Sequence, residues 1–111
     1  MKEIYLGDWK ELGKEQLLKD FEIKSHILEK AKILLAYYEY VDYSGDAFVL
    51  ISRDNKLFEI NGSHCSCFGL EGQWEEEETT IEALKYRLKN GLFGIDGDFG
   101  NELKKIIKRL Q

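Results

Sequence analysis

One short segment, residues 63–78, holds most of the side chains that could bind a ligand or take part in a reaction. Its sequence, SHCSCFGLEGQWEEEE, places an imidazole, two thiols and an indole ahead of four consecutive carboxylates. Imidazoles and thiolates are the ligands that zinc prefers. A thiol next to an imidazole is a potential nucleophile. An indole among carboxylates is typical of a protein-binding surface. Which of these sites can form depends on the backbone conformation of this segment, because that decides which side chains lie close together.

The candidate metal ligands are His64, Cys65 and Cys67. A turn at Gly62 would let the three side chains converge on one zinc ion, and because zinc prefers four ligands, Glu71 or a water would complete the set. A strand that continues through Gly62 would instead point both thiols to one face and the imidazole to the other, because side chains alternate along a strand. The thiols would then be packed core groups. We predict no cofactor, with zinc as the alternative.

A catalytic use of the thiols has less support. Adjacent residues such as His64 and Cys65 seldom face each other, and no Asn or Asp is placed by the sequence to orient the imidazole. A disulfide between Cys65 and Cys67 would close a very small, strained ring, so we expect reduced thiols. The sequence predicts no catalytic residue and favours a protein that is not an enzyme.

The candidate interaction loop consists of His64, Glu71, Trp74 and Glu75. In one interpretation Trp74 anchors the loop to the core, and the glutamates precede a helix N-terminus, where negative charge is favourable. In the other, the indole and the carboxylates form an acidic, aromatic rim that binds a basic partner. The sequence alone leaves both open.

Alternating and apolar patterns predict the elements that position this segment. Residues 32–43, 47–53 and 57–62 are rich in β-branched and aromatic residues, with turns predicted at 44–46 and 54–56, which predicts a three-stranded antiparallel meander. Apolar residues at helical spacing predict helices over 13–23 and 80–89 and at the C-terminus. We therefore predict an α+β domain over residues 1–111, with the helices packed on one face of the sheet.

The ends of the second helix have clear signals. Thr79 and Glu82 have the spacing of a capping box, and Asn90 with Gly91 predicts a left-handed stop. Four glycines over 91–100 predict a loop before the last helix. The side of that helix opposite its apolar residues is basic, with Lys104, Lys105, Lys108 and Arg109.

Composition limits the classes of function. The 111 residues have a net charge of −5 and a pI near 5.1, which argues against general nucleic-acid binding because phosphate contacts need surplus Lys and Arg. No apolar run approaches the length of a membrane span, and the first residues lack the apolar core of a signal peptide. We expect a cytoplasmic protein that does not bind membranes.

Residues 37–84 resemble a family of small uncharacterised proteins encoded by bacteriophages and prophages. The similarity is most specific over the block GSHCSCFGLEGQWE, residues 62–75. The resemblance implies an intracellular accessory protein of phage or prophage type, and it implies no particular reaction. Together with the acidic charge, it predicts a protein-interaction module that acts on a host or phage protein.

Overall fold

A five-stranded mixed sheet organises the chain. The computed structural model describes residues 3–41, 44–65, 69–95 and 97–111. The strands are β1 (Ile4–Gly7), β2 (Lys32–Val41), β3 (Ser44–Arg53), β4 (Lys56–Cys65) and β5 (Glu77–Thr79). The helices are α1 (Lys14–Phe21), a short 3-10 helix (Ser25–Leu28), α2 (Ile81–Lys89) and α3 (Asp98–Leu110). None of the helices in these ranges is long and apolar enough to cross a bilayer.

The strands lie in the order β1-β2-β3-β4-β5, and only β1 and β2 are parallel. The central meander of β2, β3 and β4 confirms the prediction. Asp54 and Asn55 both have positive φ, which is the conformation of a two-residue hairpin turn whose twist matches its strands. The turn predicted at 44–46 is wrong, because Ser44, Gly45 and Asp46 pair with β2 and β4 as the start of β3.

The fold class is α+β, as predicted, but helices cover both faces of the sheet instead of one. Helix α1 packs through Leu17 and Phe21 on the face that holds Val49 and Ile51. Helices α2 and α3 pack on the opposite face. The buried residues of that face are Leu34, Leu35, Phe48, Leu50, Leu84, Phe99, Leu103, Ile106 and Ile107. The central strands are apolar on both faces, so each face needs a covering layer.

Helix α2 begins one residue later than the capping box predicted. Thr79 belongs to β5, where it pairs with Leu57 of β4. Thr80 is the N-cap of the helix, and its side-chain oxygen accepts a hydrogen bond from the Ala83 N–H at 3.1 Å. Gly91 has φ of 64°, which confirms the left-handed stop. Helix α3 begins at Asp98, so the predicted loop over 91–100 is shorter than expected.

Candidate functional site

The end of β1 brings a carboxylate to the edge of β2. Gly7 approaches the Tyr38 carbonyl so closely that a Cβ atom would lie 2.1 Å from that oxygen, and its φ is 69°. Only glycine fits there without strain. The Asp8 N–H then donates to the Tyr38 carbonyl at 2.6 Å, and the Asp8 side chain accepts a hydrogen bond from the Tyr40 N–H at 3.0 Å. Asp8 is therefore fixed beside Tyr40, although 32 residues separate them.

Two aromatic side chains meet across a glycine on the sheet. Gly45 pairs with Tyr40 on one side and with His64 on the other. A Cβ at Gly45 would lie 2.5 Å from the Glu39 carbonyl oxygen. With no side chain between them, the rings of Tyr40 and His64 stack with centroids 4.2 Å apart and planes 19° apart. Tyr40 keeps 39% exposure, so part of this stacked pair remains available to solvent.

A buried tyrosine holds His64 from the other side. The Tyr38 hydroxyl is hydrogen-bonded to Nδ1 of His64, and Tyr38 itself packs on Trp9 at 5.2 Å between ring centroids. Burial is the main cause that raises the pKa of Tyr38 to about 12, and the negative charges of Asp20 and Asp8 contribute less. The Tyr38 hydroxyl therefore stays protonated at neutral pH, and the direction of its hydrogen bond to Nδ1 follows the tautomer of His64.

The loop after β4 is tied to that strand by the amide of Gln73. Its Oε1 accepts from the Ser63 N–H at 2.8 Å, and its Nε2 donates to the Ser63 carbonyl at 2.7 Å and to the Gly69 carbonyl at 2.6 Å. Strand β5 pairs with β4 only through Leu57, Phe58 and Glu59. The Gln73 amide therefore satisfies backbone groups at the edge of β4 that β5 does not reach.

The same loop places a second carboxylate at His64. The Gly69 N–H donates to Glu71 at 3.2 Å, and a Cβ at Gly69 would lie 2.8 Å from the Glu71 carboxylate and 3.6 Å from the His64 ring. Hydrogen bonds from the Glu71 and Gly69 backbone N–H groups, and the proximity of His64, hold the pKa of Glu71 below its usual value. Glu71 is therefore a fully ionised, exposed group next to the imidazole.

Trp74 is half-buried and anchors the loop. Its ring meets Phe21 of α1 edge-on at 5.1 Å between centroids, and its indole N–H donates to Glu76 at 3.0 Å. Glu76 also pairs with Arg53, so it is not a free acidic group. These contacts favour the anchoring interpretation of Trp74. Glu75 is exposed on the same loop.

Of the three predicted metal ligands, only His64 has a side chain that the structure describes. Strand β4 continues through Gly62 to Cys65, so the turn at Gly62 that would allow convergence does not form. Cys67 and the side chain of Cys65 lie outside what the structure describes. Among the described residues, no group of three His, Cys, Asp or Glu side chains could hold a metal ion. The absence of a cofactor, with zinc as the alternative, therefore stays a prediction.

Tyr40, His64, Asp8 and Glu71 form what we call the acidic aromatic surface. The ion pairs formed among the described residues join Lys19 to Glu15, Arg53 to Glu76, Arg87 to Glu59 and Lys105 to Glu102. Neither Asp8 nor Glu71 takes part in them. The surface thus combines a stacked aromatic pair with two exposed carboxylates that pair with no Lys or Arg side chain in the described ranges, an arrangement suited to binding a cationic group.

Two residues of this surface, His64 and Glu71, belong to the interaction loop predicted from the sequence, whereas Tyr40 and Asp8 do not. Comparisons with protein-family models, with curated proteins and with solved structures found no match for the chain. The acidic aromatic surface is therefore interpreted from its own geometry.

Proposed function

We propose that this protein is a non-enzymatic protein-interaction module whose acidic aromatic surface binds a basic segment of a partner protein. The observation that supports this most strongly is the exposed Tyr40 ring stacked on His64, with the Asp8 carboxylate at the Tyr40 N–H and the Glu71 carboxylate beside His64. An Arg or Lys side chain placed against Tyr40 would gain a cation–π contact and a nearby counter-charge.

Contacts within the protein hold the groups of this surface in position, which favours binding. Tyr40 is fixed by its stack on His64 and by the Asp8 hydrogen bond to its backbone. His64 is in turn held by Tyr38, and Glu71 by the Gly69 N–H. Groups that are already ordered lose little conformational entropy on binding, so more of the contact energy contributes to affinity.

The proposal extends to the setting in which the protein acts. The resemblance of residues 37–84 to phage and prophage proteins supports an accessory role in the bacterial cytoplasm, with a host or phage protein as the partner. The net charge of −5 supports a protein partner over nucleic acid, since nucleic-acid backbones would be repelled by most of the surface.

Affinity capture with matched variants tests the proposal. The immobilised protein is incubated with bacterial lysate beside a Tyr40→Ala, Glu71→Gln double variant and a Tyr86→Ala control. Gln at position 71 can still accept the Gly69 hydrogen bond, so this change removes charge and spares the loop. Tyr86 is 64% exposed on α2, away from the surface.

We expect the wild type and the Tyr86 control to retain the same protein, and the double variant to retain at least about tenfold less of it. The double variant loses one cation–π contact at Tyr40 and one charge contact at Glu71, and at roughly 0.5–1 kcal/mol each the two give a loss of this order. The retained protein should also elute as the salt concentration rises. Equal retention by all three proteins, or no retention by any of them, would refute the proposed function.

A further inference from the structure

A second surface of opposite charge lies between α2 and α3. The two helices border a groove of about 520 Å³. The lining includes two lysines and one aliphatic side chain from each helix: Lys85, Leu88, Lys89, Lys104, Ile107 and Lys108. We refer to it as the lysine groove.

The positive charge of the lysine groove is local and uncompensated. All four lysines are exposed, and none of them takes part in an ion pair among the described residues. Lys85 and Lys89 are four residues apart on α2, as are Lys104 and Lys108 on α3, and like charges at this spacing repel each other along a helix. An anionic partner would relieve this repulsion on both helices at once.

The last 31 residues of the chain have a net positive charge, and the residues before them have a net negative charge. Residues 81–111 contain seven basic and four acidic side chains, whereas residues 1–80 contain nine basic and seventeen acidic ones. The lysine groove is therefore a basic site on an acidic protein. Acidic segments of a partner would be steered to this groove and repelled elsewhere.

The floor of the groove is apolar and recessed. Ile107 is 4% exposed and belongs to the core under α3, and Leu88 packs against the same core. A recess of this kind has room for an apolar side chain of a partner. It offers no aromatic ring on which a base could stack, and it does not project apolar side chains toward a bilayer, as a membrane-binding helix does.

We infer that the lysine groove binds an acidic, amphipathic peptide segment of a partner protein. The apolar side of the segment lies on Leu88 and Ile107, and its carboxylates face the lysines of both helices. This is the helix-in-groove mode of peptide recognition, and it does not depend on the acidic aromatic surface.

Fluorescence anisotropy with defined probes tests the inference. The first probe is a labelled 16-residue peptide with leucines along one helical stripe flanked by glutamates, and the second is a scrambled peptide of the same composition. The variant that tests the groove is Lys89→Glu with Lys104→Glu. Its matched control is Lys14→Glu with Lys24→Glu, which makes the same charge change at exposed positions outside the groove. Circular dichroism establishes that both variants are folded.

We expect the wild type to bind the amphipathic probe about tenfold more tightly than the scrambled one. Only the amphipathic probe can place its leucines on the apolar floor and its glutamates against the lysines at the same time. Reversing the two groove charges should weaken binding at least about tenfold, while the control pair should stay within about threefold of the wild type.

Four outcomes would overturn the inference. The first is equal binding of the two probes, and the second is equal weakening by the control pair. The third is binding of oligodeoxythymidine or of phosphatidylserine vesicles, more tightly than the peptide and with the same dependence on Lys89 and Lys104. The fourth is concentration-dependent self-association, abolished by the groove variant, which would make a second copy of this chain the occupant.

Discussion

Replacing Gln73 with alanine should detach the loop that positions Glu71 against His64. The Gln73 side chain makes three hydrogen bonds, to the Ser63 N–H, the Ser63 carbonyl and the Gly69 carbonyl, at 2.8, 2.7 and 2.6 Å. All three are lost in Gln73→Ala. The loop would then be held mainly by Trp74 and by Leu70, whose side chain packs over Gly62.

The expected cost follows from the number of bonds and their exposure. A neutral hydrogen bond contributes about 1 kcal/mol net, so three would contribute about 3 kcal/mol. Gln73 is half-buried, and water can replace part of what is lost, so we expect Gln73→Ala to lower the free energy of unfolding by about 2 kcal/mol. Gln73→Glu should cost at least as much at neutral pH, because a carboxylate oxygen would face the two carbonyls that now receive the amide.

Urea unfolding measures the effect on stability, and amide hydrogen exchange measures it at Ser63. Glu75→Ala is the control, because Glu75 is exposed on the same loop and its loss should change stability by less than about 0.5 kcal/mol. In Gln73→Ala the Ser63 amide should also exchange faster. A Gln73→Ala protein as stable as Glu75→Ala, with Ser63 still protected, would refute the claim that Gln73 holds the loop.

Three further predictions concern the rest of the framework. Arg87 makes two hydrogen bonds to the buried carboxylate of Glu59, so Arg87→Met should destabilise the protein by about 3 kcal/mol in urea unfolding, and a loss under about 1 kcal/mol would contradict a structural role for the pair. Hydrogen bonds from Arg53 hold the pKa of Glu76 below its usual value; the stability this contributes is present above the ordinary glutamate pKa of about 4.3 and is lost as pH falls through the lower, folded value. Glu76→Gln should therefore reduce the loss of unfolding free energy between about pH 5 and pH 3, and identical pH profiles would count against the pair. Native mass spectrometry should give the mass of the metal-free chain with and without a chelator, whereas a stoichiometric metal lost with the fold would favour a zinc site at His64.

The central meander was predictable because its signals are local. The apolar run of β3 and the Asp54-Asn55 turn lie within a few residues of one another. Strands β1 and β5 have four and three residues, too few for an alternating pattern to stand out. Their pairing depends on contacts with β2 and β4 that no local pattern encodes.

Glycines caused the main error in the sheet. Gly45 was interpreted as part of a turn, and Gly62 as a position where the chain could turn, yet both lie within strands. Gly45 leaves room for the Tyr40–His64 stack, and Gly62 leaves room for Leu70. A glycine in a strand often marks a close approach of neighbouring groups, and one sequence does not distinguish such a glycine from one in a turn.

The candidate site was predicted in part. His64 and Glu71 were chosen for their chemistry, and the structure brings them together. Tyr40 and Asp8 were missed because they join His64 only through the pairing of β1, β2, β3 and β4. Asp8 reaches Tyr40 because Gly7 lies close against β2. In the sequence, Gly7 alone indicates this contact.

The most direct test of the proposed function is to map where a captured partner binds. A basic segment of that partner is titrated into the ¹⁵N-labelled protein, and the shifts of the backbone amides are recorded. We predict that the largest shifts cluster at Asp8, Tyr40, His64 and Glu71, and that Tyr40→Ala weakens the interaction. Shifts centred on α2 and α3, or binding unchanged by Tyr40→Ala, would contradict the claim that the acidic aromatic surface is the binding site.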